Sequence, residues 1–109
     1  MTKVSFYRDA NGLFKGFESF GHSGYSVKGE YVVCAGISAL TINAVNSLDA
    51  FTDAKLFVEA DEKEAFLGCR LGKGYEGEDV QLIFRSLELG IRGIEDQNKD
   101  FIRISYEEV

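Results

Sequence analysis

A chain of 109 residues that is 45% hydrophobic and 13% aromatic is long enough for one domain, spanning 1–109, with a core that needs no staples. Twelve Lys and Arg against eighteen Asp and Glu leave a net charge of −6, and no basic stripe interrupts the acidity, so direct nucleic-acid binding is not expected. Two cysteines in unlike settings make no disulfide framework and point to a reducing cytosol; Met1-Thr2-Lys3-Val4 runs straight into a strand pattern, so no secretory leader is expected.

Lys3 to Arg8 alternates, with Val4 and Phe6 on one face of a strand. Asp9-Ala10-Asn11-Gly12 is turn chemistry, and Leu13 to Phe20 returns as a second strand, with Phe14, Gly16 and Phe20 on one face and Leu13 and Phe17 on the other. Gly21 to Gly29 is a polar loop with three glycines, in which Tyr25 could contact substrate. From Glu30 the period becomes helical: Val33, Ile37, Leu40, Ala44 and Leu48 form one apolar stripe. Tyr31 to Leu48 carries no charge and approaches membrane-spanning length, but Ser38, Thr41, Asn43, Asn46 and Ser47 are spread along it. A buried helix of a soluble domain, with no membrane partner, is the better reading.

Lys55 to Asp61 alternates, Glu62-Lys63-Glu64 turns the chain, and Ala65 to Leu71 returns with Leu67, Cys69 and Leu71 on one face. After a glycine-marked loop, Val80, Ile83, Leu87, Ile91 and Ile94 define a second amphipathic helix, with Glu88 and Arg92 paired one turn apart. Gly90 and Gly93 each cost that helix about 1 kcal/mol relative to alanine, which hints at close packing. Phe101 to Tyr106 is a last strand with Ile102 and Ile104 inward, followed by a solvated Glu107-Glu108 tail. The order ββαββαβ predicts an α+β domain: a largely antiparallel sheet with two helices packed on it.

The chemistry concentrates at the single histidine, His22, and at Cys34. An imidazole beside a thiol takes its proton and stabilises the thiolate, and a helix start favours the same anion. His22 at a strand end and Cys34 in the first turns of a helix could be joined by the folding back of the loop between them. Against this stands the ordinary alternative of a surface histidine and a structural cysteine. Cys69, set between Leu67 and Leu71 in a strand, reads as a small apolar filler. One His and two Cys cannot supply a zinc site. Lys28-Gly29-Glu30 reverses a phosphate-binding loop and follows it with an acid. Asp9, Asp61 and Glu62 lie at turns and read as solvated charges.

At Gly21-His22 and at Val32-Val33-Cys34-Ala35-Gly36-Ile37-Ser38-Ala39-Leu40, the chain resembles the ribosomal-processing cysteine protease family, Prp. That family's pattern is a Gly-His after the first hairpin, a loop, then an apolar pair, Cys, Ala, a small residue, one variable position and Ser. The resemblance implies an endopeptidase without a cofactor, a cytoplasmic homodimer. Its substrate is a large-subunit ribosomal protein, number twenty-seven, whose N-terminal extension is cut within a Phe-Phe-Ala-Ser-like sequence. It further implies Cys34 as nucleophile and His22 as general base and then acid. Gly21, Tyr25, Glu30, Ala35 and Ser38 are candidate substrate-binding or supporting residues, with the amides of Cys34 and Ala35 as oxyanion donors. The family usually carries an aspartate three residues before the cysteine; this chain has Tyr31 there and Glu30 one step earlier. Two other readings remain open: a non-catalytic, ribosome-associated peptide-binding module, and a redox sensor using Cys34.

Overall fold

Val4 and Phe6 alternate with polar neighbours along β1 (Thr2–Arg8), and both are fully buried. The structure, a computed structural model, describes residues 1–21 and 30–109, with Glu30 described by its backbone alone. β1 is followed by β2 (Phe14–Phe20), α1 (Glu30–Phe51), β3 (Leu56–Asp61), β4 (Phe66–Leu71), α2 (Glu78–Gln97) and β5 (Ile102–Glu108). The five strands form one sheet in the order β3-β4-β2-β1-β5, antiparallel throughout except that β5 runs parallel to β1. The expected ββαββαβ order and largely antiparallel sheet therefore hold, with the β1–β5 pair the parallel exception.

The first hairpin corrects the expected division of faces. The register passes from Tyr7↔Gly16 to Arg8↔Phe14, so Lys15 is an extra residue on β2. Such a bulge inverts the alternation beyond it. Phe14 and Phe17 both face the core, while Phe20 stands exposed on the opposite side. Where the bulge interrupts the ladder, the Gln81 side chain substitutes for a strand: Phe14 N–H donates to Oε1 at 2.8 Å, and Nε2 donates to the Phe14 carbonyl at 2.9 Å. Gly12 turns the hairpin with φ +84°, a backbone region in which a side chain is strained.

Asp9, read as a solvated charge, also organises its turn. Its Oδ1 accepts the N–H groups of Asn11 and Leu13 at 2.8 and 3.0 Å, and its Oδ2 accepts the Tyr75 hydroxyl at 2.7 Å. The bond from Tyr75 leads in holding the Asp9 carboxyl below its usual range, and it pushes the Tyr75 phenol up to about 12.

Both helices cover one face of the sheet. α1 runs three residues beyond the expected end and buries Val33, Ile37, Thr41, Ala44 and Leu48. Buried Thr41 is satisfied within its own helix, its hydroxyl donating to the Ile37 carbonyl at 2.9 Å. Leu40 lies between the helices rather than in the central stripe: its Cδ1 is 3.0 Å from where a Cβ on Gly90 would stand, and Ile94 Cδ1 lies 3.2 Å from the equivalent point on Gly36. These two contacts make α1 and α2 antiparallel neighbours. Gly93 has nothing within 4 Å of its Cβ position, so the packing expected of both glycines is found at Gly90 alone. One helix, Tyr31–Phe51, is long and apolar enough to cross a membrane by length and composition, but its inward stripe belongs to the core shared with α2 and the sheet.

On α2 the buried positions are Val80, Phe84, Leu87 and Ile91; Ile83 and Ile94 are only partly covered. Phe84 stacks on Phe14 with centroids 5.4 Å apart and meets the edge of Phe17 at 6.2 Å. Glu88 and Arg92 converge on Tyr106: Arg92 donates to its hydroxyl at 2.6 Å and that hydroxyl donates to Glu88. Glu107 and Glu108, expected as a tail, are strand residues opposite Tyr7 and Arg8, though exposed. We expect Phe84→Ala to cost about 3–5 kcal/mol by removing a ring that joins helix to sheet; urea unfolding followed by circular dichroism measures it.

Candidate functional site

Cys34 is the fifth residue of α1, half-buried above the adjoining ends of β2 and β4. The helix brings it there because Val33 and Ile37, its neighbours on the apolar stripe, are drawn into the core at 2% and 1% exposure. The sulfur is then held at the core's edge, against backbone. Gly21 ends β2 at this point. A Cβ on Gly21 would lie 2.4 Å from the Cys34 Sγ and 3.0 Å from the Ala65 Cβ, so only a residue without a side chain fits. The Gly21 N–H donates to the Ala65 carbonyl at 2.8 Å, which pins the end of β2 to the β3–β4 turn.

That turn is also different from the expected one. Ala65 belongs to the turn rather than to β4, with φ +49°, the one non-glycine residue in the left-handed region among the described residues. Its N–H donates to the Glu62 carbonyl at 3.2 Å. Asp61 is exposed, as expected of a solvated charge, and it also builds the turn: its Oδ1 accepts from the N–H groups of Lys63 and Glu64 at 3.0 and 3.4 Å.

Ser38, one helical turn beyond Cys34, lines a groove of about 260 Å³ between α1 and the β3–β4 hairpin. Thr41 and Ile42 continue the helical wall, Ala60, Leu67 and Phe66 the hairpin wall, and Asp61 and Glu62 stand at the turn. A larger concavity of about 580 Å³ lies on the uncovered sheet face among Glu18, Phe57, Phe66 and Arg70, away from the sulfur.

The structure places the sequence candidates unequally. Gly21 and Cys34 are brought together. Ser38 is on the adjoining groove, and Ala35 is exposed on α1 beside the cysteine. Tyr31 is the second residue of α1 and is 62% exposed. His22 and Tyr25, and the side chain of Glu30, lie outside the described residues. One expectation fails on geometry. The N–H groups of Cys34 and Ala35, fifth and sixth in the helix, point to the carbonyls of Glu30 and Tyr31 in the i→i−4 ladder. In this conformation they are not free to hold an oxyanion. Ala65 was missed altogether, since an alanine at the end of a charged turn carries no sequence signal of a left-handed backbone.

Cys69 sits at 0% exposure, and burial pushes its thiol up to about 11. Among the described residues no three His, Cys, Asp or Glu side chains are gathered as a metal would require.

The chain matches the family described as Cysteine protease Prp over residues 1–103. It is 26% identical over 86 residues to the ribosomal processing cysteine protease Prp of Staphylococcus aureus (strain Mu50 / ATCC 700699), covering 79% of this chain and 80% of that one. It is 24% identical over 92 residues to the protein of the same name from Bacillus subtilis (strain 168), covering 82% of each. In fold it is similar to the Prp protease of S. aureus solved with a substrate peptide, at a TM-score of 0.91 and 22% identity, over 98% of this chain and 100% of that one. The protein SMU.848 of Streptococcus mutans superposes at 0.88 with 28% identity, over 100% and 96% of the two chains.

Because Cys69 ionises only near 11, iodoacetamide at pH 8 should modify the folded protein once, at Cys34, and a second adduct should appear only on unfolding. Mass spectrometry of intact and digested protein reads both steps.

Proposed function

Since the chain belongs to the cysteine protease Prp family, we propose that it removes the N-terminal extension of large-subunit ribosomal protein twenty-seven, cutting within a Phe-Phe-Ala-Ser-like sequence. The observation that carries the reading is the contact of the Cys34 sulfur with the backbone of Gly21, the residue to which His22 is covalently bonded. His22 follows Gly21 directly in the chain, and consecutive Cα atoms are only about 3.8 Å apart.

In the proposed reaction His22 accepts the Cys34 proton and the thiolate attacks the scissile carbonyl carbon. The tetrahedral intermediate collapses to a thioester as the imidazolium gives its proton to the leaving amine. Water, deprotonated by the now neutral His22, then attacks the thioester and releases Cys34 with the carboxylate product. The oxyanion donors come from outside the ladder of α1, since the Cys34 and Ala35 amides are engaged within it. The groove along Ser38, Thr41 and Ile42 offers apolar surface for the phenylalanines. A net charge of −6 suits a segment attached to a basic ribosomal protein.

A peptide carrying Phe-Phe-Ala-Ser should be cleaved by the wild-type chain. Cys34→Ala and His22→Ala should each lower kcat/KM by about a thousandfold or more while leaving the melting temperature within a few degrees. Full activity in either variant ends the reading. Binding without cleavage by the wild type would favour the peptide-binding module, with Tyr31 standing where the family has an acid.

The proposal includes a cytoplasmic homodimer. The sheet face opposite the helices exposes Phe20 at 46% and Phe57 at 56% beside the Phe66 ring, an aromatic surface of the kind that pairing covers. Sedimentation velocity should give a dimer for the wild type and a monomer for Phe57→Glu.

A further inference from the structure

The β3–β4 turn holds a strained residue at the point where Gly21 and the Cys34 sulfur meet. Ala65 ends the turn with φ +49°, a conformation that costs a residue with a Cβ and that hairpins of this kind usually assign to glycine or asparagine. Its methyl and the sulfur close on the same side of Gly21, at 3.0 and 2.4 Å from the point a Cβ would occupy there. Its carbonyl takes the Gly21 N–H at 2.8 Å. Backbone strain of this kind persists where the surroundings over-determine it, and it gathers at functional sites. Glycine at 65 would relieve the strain and keep the carbonyl bond; only the methyl would be lost.

We infer that Ala65 is a positioning residue for the Cys34 reaction: its methyl stands against the same point of Gly21 that the sulfur closes on while its carbonyl fixes the end of β2, and together they set where the sulfur rests against the Gly21 backbone. The inference rests on the reading of Cys34 as the nucleophile. The methyl touches neither the scissile bond nor any proton in flight, so it acts by limiting where Gly21 and the sulfur can move. A displacement of about 1 Å at a reacting pair is enough to lower a rate by up to a hundredfold.

Ala65→Gly and Ala65→Ser separate this role from a merely structural one. Ala65→Gly should keep or raise the melting temperature, since the left-handed strain is relieved, yet lower kcat on the Phe-Phe-Ala-Ser peptide by about tenfold with KM within about twofold. Ala65→Ser keeps the Cβ and should restore kcat to within about threefold of wild type. The rate of Cys34 alkylation at pH 7 should fall severalfold in the glycine variant and recover in the serine variant. Unchanged kcat and alkylation in Ala65→Gly overturn the inference, as does a loss of kcat that tracks a fall in melting temperature and is not recovered by serine. If the wild type cleaves no peptide, the protease reading fails; the alkylation rates still decide whether Ala65 positions the sulfur.

Discussion

A sulfur resting against a backbone that lacks a side chain is the contact on which the site depends. Gly21 closes β2, and the Cys34 Sγ occupies the space where any other residue would put its Cβ, 2.4 Å from that point. Two independent parts of the fold meet there. The apolar stripe of α1 fixes the height of the sulfur by burying Val33 and Ile37 beside it, and the bond from Gly21 N–H to the Ala65 carbonyl fixes the strand end. Neither part determines the geometry without the other, because a helix on a sheet face can slide along its own axis until something blocks it.

The sheet beneath is held to α2 by aromatic contacts, by the Gln81 amide and by the bonds of Arg92 and Glu88 with Tyr106. Phe84 faces both Phe14 and Phe17, which the bulge at Lys15 turns to the same side. The Gln81 amide then satisfies the Phe14 backbone on both its donor and its acceptor where the ladder is broken. The acidic surface carries its own local structure: Asp9 and Asp61 each gather two backbone N–H groups at a turn.

Much of this was legible in the residues. The seven elements and their order follow from alternation and helical spacing, because those periods are how a chain buries one face. The small-residue run after Cys34 and the Gly-His before the loop carried the family resemblance. What the sequence hid were departures from period and local backbone hand. A bulge leaves no mark in composition, so Phe17 and Phe20 were assigned to the wrong faces. On α2 the ring of Phe84 took the core position that spacing gave to Ile83, since the deeper gap faced the aromatic strands. Ala65 in a left-handed turn is invisible until φ is known. The amides of Cys34 and Ala35 were expected to hold the oxyanion, but a helix that starts at Glu30 already engages them in its own ladder.

β1 lies between its hairpin partner and β5, the last strand of the chain, which it meets residue for residue from Thr2↔Ile102 to Arg8↔Glu108. The first and last strands of the described fold are thus stitched side by side at one edge of the sheet. β1 therefore keeps one edge without a partner until β5 has formed, and a pairing of such wide sequence separation is slow to form. Completion of the sheet therefore waits on β5, and a β1 without it presents an open edge to any other extended chain.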